Sequence, residues 1–342
     1  MEFEVYLKQQ LQLHPSMQPQ DAVKLCYQAA LGAEHLLTDF DAAEKYFTEE
    51  YAAVTPAALP LFEEISPEVC RVNLAAWKAK GLPAEWLFRM FTASVRVQRG
   101  TRELFKEYLA TAEKVLPLAD WQTYLDAYKA AGMPTVHHSD AYRAAEHPAY
   151  RIVDRRFVKL LPILEKIAAL PRGDRACVIA LEGRAAAGKS TAAESLAAIL
   201  GAGVVHMDDF FLPFEKRTEE RLAEAGGNVD YERFRVEVLD SILAGGDVTY
   251  SAFDCSTGTF LPPVTKERKS LTVIEGSYAH HPYFGDAYDL RIALDISDET
   301  QQQRILARNG ERMLAMFVER WIPMEHRYFE AFSIFENADL IL

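Results

Sequence analysis

Apolar residues recur at three- and four-residue intervals through the first 150 positions, the spacing that gathers them on one helix face. Such stretches run from about Asp21 to Leu37, Asp41 to Val54, Ala84 to Val97, Arg102 to Leu116 and Trp121 to Ala131. Another helix is expected from Ser66-Pro67 to Gly81. There a serine can cap, a proline suits the first helical position, and a glycine can end the run. Val69, Val72, Leu74, Ala75 and Trp77 supply its apolar stripe. Period-2 alternation is missing, so the reading is an all-helical domain over residues 1–150. A helix from about Asp154 to Leu170 and the polar turn Pro171-Arg172-Gly173-Asp174 follow, which marks residues 151–174 as a linker.

After that turn the pattern changes. Short apolar runs appear at Ala176–Leu181, Val204–Met207, Leu271–Ile274 and Leu290–Leu294, with a last one at Leu340–Leu342. Buried strands alternating with helices predict a parallel sheet covered on both faces, hence an α/β domain over residues 175–342.

The chain has 342 residues, enough for two cores, with 49% apolar and 25% charged residues and a net charge of −13. That acidic excess argues against nonspecific binding to nucleic acid or to an anionic membrane. No apolar run reaches the 18 or so residues a membrane span needs. The acidic start, Met1-Glu2-Phe3-Glu4, lacks the pattern of a signal peptide. Cys26, Cys70, Cys177 and Cys255 form no CxxC pair and read as reduced thiols. Together these lead to the expectation of a cytoplasmic protein.

The sharpest motif is Gly183-Arg184-Ala185-Ala186-Ala187-Gly188-Lys189-Ser190, which fits G-x-x-x-x-G-K-[ST]. It falls between a predicted strand and a helix starting at Thr191. Phosphate oxygens need many donors converging on one spot. A loop of small residues lets backbone N–H groups do this, and the helix N-terminus adds partial positive charge. Residues 183–191 are therefore the expected ATP cradle, with Lys189 reaching the terminal phosphates and Ser190 a ligand of Mg²⁺.

A second motif, His206-Met207-Asp208-Asp209-Phe210-Phe211, follows the apolar pair Val204-Val205. In an open α/β sheet the carboxyl ends of strands face the ligand crevice. A carboxylate there can take a proton from an attacking hydroxyl or hold a metal through water. No N-K-x-D motif is present, which weighs against a GTPase. The third apolar run ends in Glu275-Gly276, without the Asp-Glu pair of typical motors.

Gly183–Ser190, Asp208–Phe211 and Val273–Gly276 together resemble the uridine kinase-like branch of P-loop kinases, over about residues 174–342. The resemblance implies ATP and Mg²⁺, Asp208 as catalytic base, and Glu275 near the metal. It implies a lid whose arginines close on the phosphates, here Arg304 and Arg308 ahead of Arg312. These three are spaced to share one helix face. Asp209, Tyr250, Asp254, Tyr278 and His280 are the expected substrate contacts. Phe253 stands where uridine kinases carry a tyrosine, and Cys255-Ser256-Thr257-Gly258 lacks their following histidine. The expected reaction is phosphoryl transfer to a hydroxyl of a nucleoside-, sugar- or vitamin-like small molecule. The alternative is a nucleotide-gated regulatory protein. The acceptor, the choice of ATP over GTP and homo-oligomer formation are left open.

In the helical half, Lys24, His35, Arg96, His137, His138 and His147 are the polar residues of interest, with surface or capping roles expected. The Arg- and Tyr-rich segment 142–156 is expected to dock two domains or rim a pocket.

Overall fold

The computed structural model describes residues 3–33, 39–96, 100–171, 173 and 175–342, in two compact units, Met1–Ala168 and Ala169–Leu342. His35 and the ends of two expected helices, at Leu37 and Val97, lie outside the described residues.

The first unit contains helices α1 (Phe3–Leu13), α2 (Pro19–Leu31), α3 (Phe40–Ala53), α4 (Leu74–Ala79) and α5 (Ala84–Val95). They are followed by α6 (Arg102–Val115), α7 (Trp121–Ala130), α8 (Asp140–Glu146), α9 (Arg155–Val158) and α10 (Leu161–Ala169). Tyr27 of α2 meets Phe105 of α6 edge-on at 5.2 Å, at the centre of a core that also takes in Leu7, Leu25 and Leu125.

This unit is not all helical. It carries an antiparallel sheet ordered β1 (Phe62–Glu64), β2 (Val69–Asn73) and β3 (Tyr150–Asp154). Two expectations are thereby corrected. The helix predicted from Ser66 begins only at Leu74. Ser66 and Ile65 instead close a tight turn by donating backbone N–H groups to the Val69 carbonyl. Val69, Cys70, Arg71 and Val72 are all buried, as a central strand requires, and the two valines favour extended backbone. Asn73 then caps α4 by accepting from the Ala76 N–H at 3.0 Å. The stretch 151–174 is no free linker either, because β3 pairs with β2 and the unit continues to Ala168.

The polar residues of this unit are tied into its structure. His138 lies between the Asp21 carboxylate (2.9 Å) and the Tyr150 hydroxyl (2.6 Å) and stacks on Tyr142. Lys24 is buried, with its ammonium 3.4 Å from the Val136 carbonyl. Arg96 covers the Phe40 ring, the His137 carbonyl accepts from Gln20, and His147 ends α8 in a left-handed conformation.

The second unit is built on a parallel sheet ordered β12-β11-β4-β10-β5. Its strands are β4 (Cys177–Gly183), β5 (Gly203–His206), β10 (Leu271–Glu275), β11 (Leu290–Leu294) and β12 (Leu340–Ile341). All five coincide with the predicted apolar runs to within two residues. Helix α11 (Lys189–Leu200) crosses from β4 to β5. Short helices α12 (Glu219–Ala223), α13 (Tyr231–Phe234) and α14 (Asp240–Leu243) follow, the last two joined by a π-helical stretch, Arg235–Leu239. Two small antiparallel pairs come next, β6 (Val248–Tyr250) with β9 (Val264–Lys266), and β7 (Phe253–Asp254) with β8 (Thr259–Phe260). Helices α15 (Asp298–Met316) and α16 (Ile322–Phe332) complete it. No helix among the described residues is long and apolar enough to cross a membrane.

Candidate active site

Three neighbouring strands deliver the chemistry to one edge of the sheet. β4 is central, and its last residue is Gly183, with φ +135°. A Cβ at that position would sit 2.1 Å from the Leu294 carbonyl oxygen of β11, so only glycine fits. The chain then turns through residues 184–187, and Gly188, also at positive φ, starts α11 with Lys189 and Ser190 as its first residues. On the other side β10 ends at Glu275, paired in register with Leu181 of β4 and His206 of β5. The chain leaves β5 through a 3₁₀ turn, Met207–Phe210, which carries Asp208.

These ends open into a cleft of about 550 Å³ lined by Lys189, Ser190, Asp208, Glu275, Arg304 and Arg308, among others. The Lys189 ammonium bonds the Gly183 and Arg184 carbonyls at 2.8 and 3.0 Å. The Ser190 hydroxyl donates to Glu275 at 3.2 Å, and His206 Nδ1 bonds the other Glu275 oxygen. That carboxylate holds the His206 pKa above its ordinary value.

Asp208 is solvent-accessible from the cleft. Crowding by protein behind it still raises its carboxyl above the usual range, and the Lys189 charge opposes that rise. Lys189 opposes the same burial effect at two more carboxylates, Glu182 and Glu325. One ammonium thus serves three buried or crowded acids, which concentrates charge at the loop.

Several expected residues fall elsewhere. Asp209, next to Asp208, points away from the cleft and accepts from the Tyr250 hydroxyl at 2.7 Å. Asp254 closes its own hairpin turn by accepting from the Ser256 N–H (2.8 Å) and hydroxyl (2.7 Å). None of these three lines the cleft. His280 is buried, with Nε2 on the Ala180 carbonyl, so it supports the sheet and does not touch the cleft. The Arg184 side chain is committed to Asp295 and Asp298, and the residue serves the loop through its backbone. Tyr278 and Thr191 do line the cleft.

The arginine row is split. Gly310 (φ 79°, ψ 172°) breaks α15, so Arg304 and Arg308 face the cleft and Arg312 does not. Arg304 reaches the loop directly, donating to the Ala186 carbonyl at 3.1 Å.

Glu325 was not foreseen. This buried carboxylate accepts from the Ala185 N–H of the loop at 2.9 Å, from Gln301 at 3.1 Å and from Ser277 at 3.4 Å. Its local sequence, Pro323-Met324-Glu325-His326, carries no motif, and only the folding of α16 onto the loop brings it there. Asn228 lines the cleft too, and Met313, Phe317 and Trp321 line it without a prior signal.

The strand order, the loop after the central strand and the acidic ends of its neighbours settle the architecture. The second unit is an α/β P-loop domain. No protein-family model matches the chain, and no curated protein matches it. Solved structures similar to it include a possible uridine kinase from Bacillus stearothermophilus, 21% identical over 55% of this chain and 98% of that one, with a TM-score of 0.44. A protein proposed to be a fructose transport system kinase, from Silicibacter sp. TM1040, is 23% identical over 54% of this chain and 98% of its own, with a TM-score of 0.43. D-glycerate 3-kinase from Cryptococcus neoformans var. grubii is 12% identical over 51% of this chain and 87% of its own, with a TM-score of 0.37. At those values the chemistry of the cleft rests on its own residues.

Proposed function

We propose that the second unit is an ATP-dependent kinase that transfers the γ-phosphate to a hydroxyl of a small molecule. The observation that carries this reading is the meeting of Lys189, Ser190, Asp208 and Glu275 in one cleft. A polyphosphate needs the loop amides and Lys189. A hydroxyl nucleophile needs a nearby base, and Asp208 is the cleft carboxylate best suited to it. Its raised pKa brings it nearer to the operating pH, which favours proton acceptance from an alcohol.

The donor set fits a hard divalent cation. The Ser190 hydroxyl and the Glu275 carboxylate are oxygen ligands lying 3.2 Å apart, with Asp208 in the same cleft. Magnesium bound there would supply charge neutralisation on the phosphate oxygens. Arg304 and Arg308 supply fixed positive charge from the lid side. Phosphoryl transfer passes through a loose transition state, so positioning and neutralisation of charge account for most of the catalysis.

The acceptor side is lined by Tyr278, Asn228 and Phe211, a mixed polar and aromatic surface suited to a small hydroxylated molecule. Asp209, Tyr250 and Asp254 shape the neighbouring turns. The test is a panel of nucleosides, sugars, hydroxy acids and vitamins with Mg²⁺ and ATP, read by ADP release. One acceptor should turn over, and Asp208→Asn should lower kcat by about 10²–10⁴ while nucleotide affinity stays within about threefold. Nucleotide binding with no acceptor turned over would favour a nucleotide-gated regulatory role instead.

A further inference from the structure

Met313, Phe317, Trp321 and Glu325 follow one another at steps of four residues, and all four line the cleft. On a regular α-helix such a row drifts by about 40° at each step, because a turn takes about 3.6 residues. Here the stretch Phe317–Trp321, between α15 and α16, is π-helical. A π turn closes one residue later than an α turn, which takes up part of the drift and helps keep the row on one face. Such turns occur most often at functional sites.

This wall is apolar for three residues and acidic at the fourth. The Phe317 and Trp321 rings meet at 4.7 Å and 68°, so they form a corner of two aromatic surfaces. The Glu325 carboxylate reaches Ala185 and Ser277, which are themselves cleft residues. Tyr278 and Phe211 add two more rings to the lining. Tyr278 holds its place at φ 72°, a left-handed conformation that a residue other than glycine keeps only where its surroundings enforce it.

Charge is divided unevenly in the cleft. The cations among its described lining residues are Lys189, Arg304 and Arg308. Lys189 is turned to the Gly183 and Arg184 carbonyls and Arg304 to the Ala186 carbonyl, so both serve the phosphate loop. The carboxylates are Asp208, Glu275 and Glu325. In the kinase reading Asp208 takes a proton and Glu275 faces the metal, which leaves Glu325 without a task. Its donors, the Ala185 N–H, Gln301 and Ser277, are all neutral. A polyphosphate would engage Lys189, whose charge opposes that of Glu325 in the free protein. An acceptor with a negative charge would then be repelled, and a neutral one would leave the carboxylate uncompensated. A protonated amine suits both parts of the wall, because ring faces and carboxylates each attract it.

We propose that the acceptor is an amino alcohol, whose hydroxyl receives the phosphate beside Asp208 and whose ammonium lies between the Phe317–Trp321 corner and Glu325. The new O–P bond forms at the hydroxyl oxygen as the bond to the ADP oxygen breaks, and the hydroxyl proton passes to Asp208. The transfer rests on the kinase reading above, whereas capture of the cation does not and is measured without turnover.

The test is calorimetric titration of the full chain, with Mg²⁺ and a non-hydrolysable ATP analogue present, using probes matched in shape. Choline is compared with its uncharged carbon isostere, dimethylbutanol. Phenylalaninol is compared with the analogue in which a methyl group replaces the ammonium, and glycerate supplies a negative charge. At least one amine should bind at millimolar concentration, about tenfold or more tighter than its neutral partner, with glycerate weaker still. Glu325→Gln should weaken that amine by about fivefold or more and change its neutral partner by less than about twofold. A misfolded variant would lose Mg-nucleotide as well, whereas Glu325→Gln should hold it at least as tightly as the intact protein does. Trp321→Leu should also reduce the preference for the amine. No amine bound, a neutral partner or glycerate bound as tightly, or an amine indifferent to Glu325→Gln would overturn the proposal. The amines then join the acceptor panel. ADP release with a neutral or acidic acceptor and none with the amines would keep the kinase reading and overturn this one. An amine bound with the expected charge preference, but with no ADP released from any acceptor, would leave the cation site standing and remove the kinase reading.

Discussion

Burial and Lys189 pull the Asp208 carboxyl in opposite directions, and burial prevails. A base must be deprotonated to accept a proton, so the rate should climb with pH through that raised value. The acid limb of kcat against pH should therefore lie above the ordinary aspartate range, and a flat profile there would remove Asp208 as base. Glu325 makes the opposite kind of prediction. It holds the Ala185 N–H that a phosphate would use, and its charge would repel polyphosphate. Glu325→Gln should tighten Mg-nucleotide binding by about three- to tenfold, measured by calorimetry, and weaker binding would show that the carboxylate helps the ligand. The two residues also mark what the sequence could tell. Asp208 was legible because a strand end and an acidic pair announce a crevice. Which of Asp208 and Asp209 enters the cleft depended on the 3₁₀ turn, and Tyr250 claims the second. Glu325 was illegible because nothing local to it refers to the loop.

At the level of elements, helix α15 is the clearest case of a period misread as a continuous face. Arg304, Arg308 and Arg312 share a face on an unbroken helix, but Gly310 breaks it between the second and third. Arg304→Ala and Arg308→Ala should each lower kcat by about 100-fold or more, and Arg312→Ala should stay within about twofold. Equal losses at all three positions would contradict the break. Strand β2 is the parallel case in the first unit. Ser66-Pro67 and Gly81 carry genuine helix signals, yet the buried run Val69–Val72 pairs with β1 and β3. Its partner β3 lies about 80 residues further on, so no local pattern could announce the pairing. Strands β4, β10 and β11 were legible because they are buried on both faces and so stand out as apolar runs, while the sheet-edge strands β5 and β12 are shorter apolar runs and less buried.

Across the whole molecule, the two units differ in how their polar residues are used. In the first, Asp21, His138 and Tyr150 form a closed chain of hydrogen bonds. In the second, carboxylates converge on one lysine. Glu182 is the most deeply buried of them, and burial lifts its pKa from 4.5 to about 7. A raised folded-state pKa means the folded form binds the proton more tightly. That contribution is fully present below about pH 4.5 and is lost as pH rises through about 7, a span worth roughly 3 kcal/mol at most. The stability of the second unit should therefore decline over this window, and the decline should shrink in Glu182→Gln. His206 also titrates with a raised pKa, so the difference between the two proteins, not the slope of either alone, isolates Glu182. An identical slope in both would refute its role. Calorimetric titration of Mg-ATP into the intact protein and into Lys189→Ala tests the central claim most directly. The account predicts saturable binding by the first and a loss of about 30-fold or more in the second. No binding to the intact protein, or equal binding by both, would contradict it.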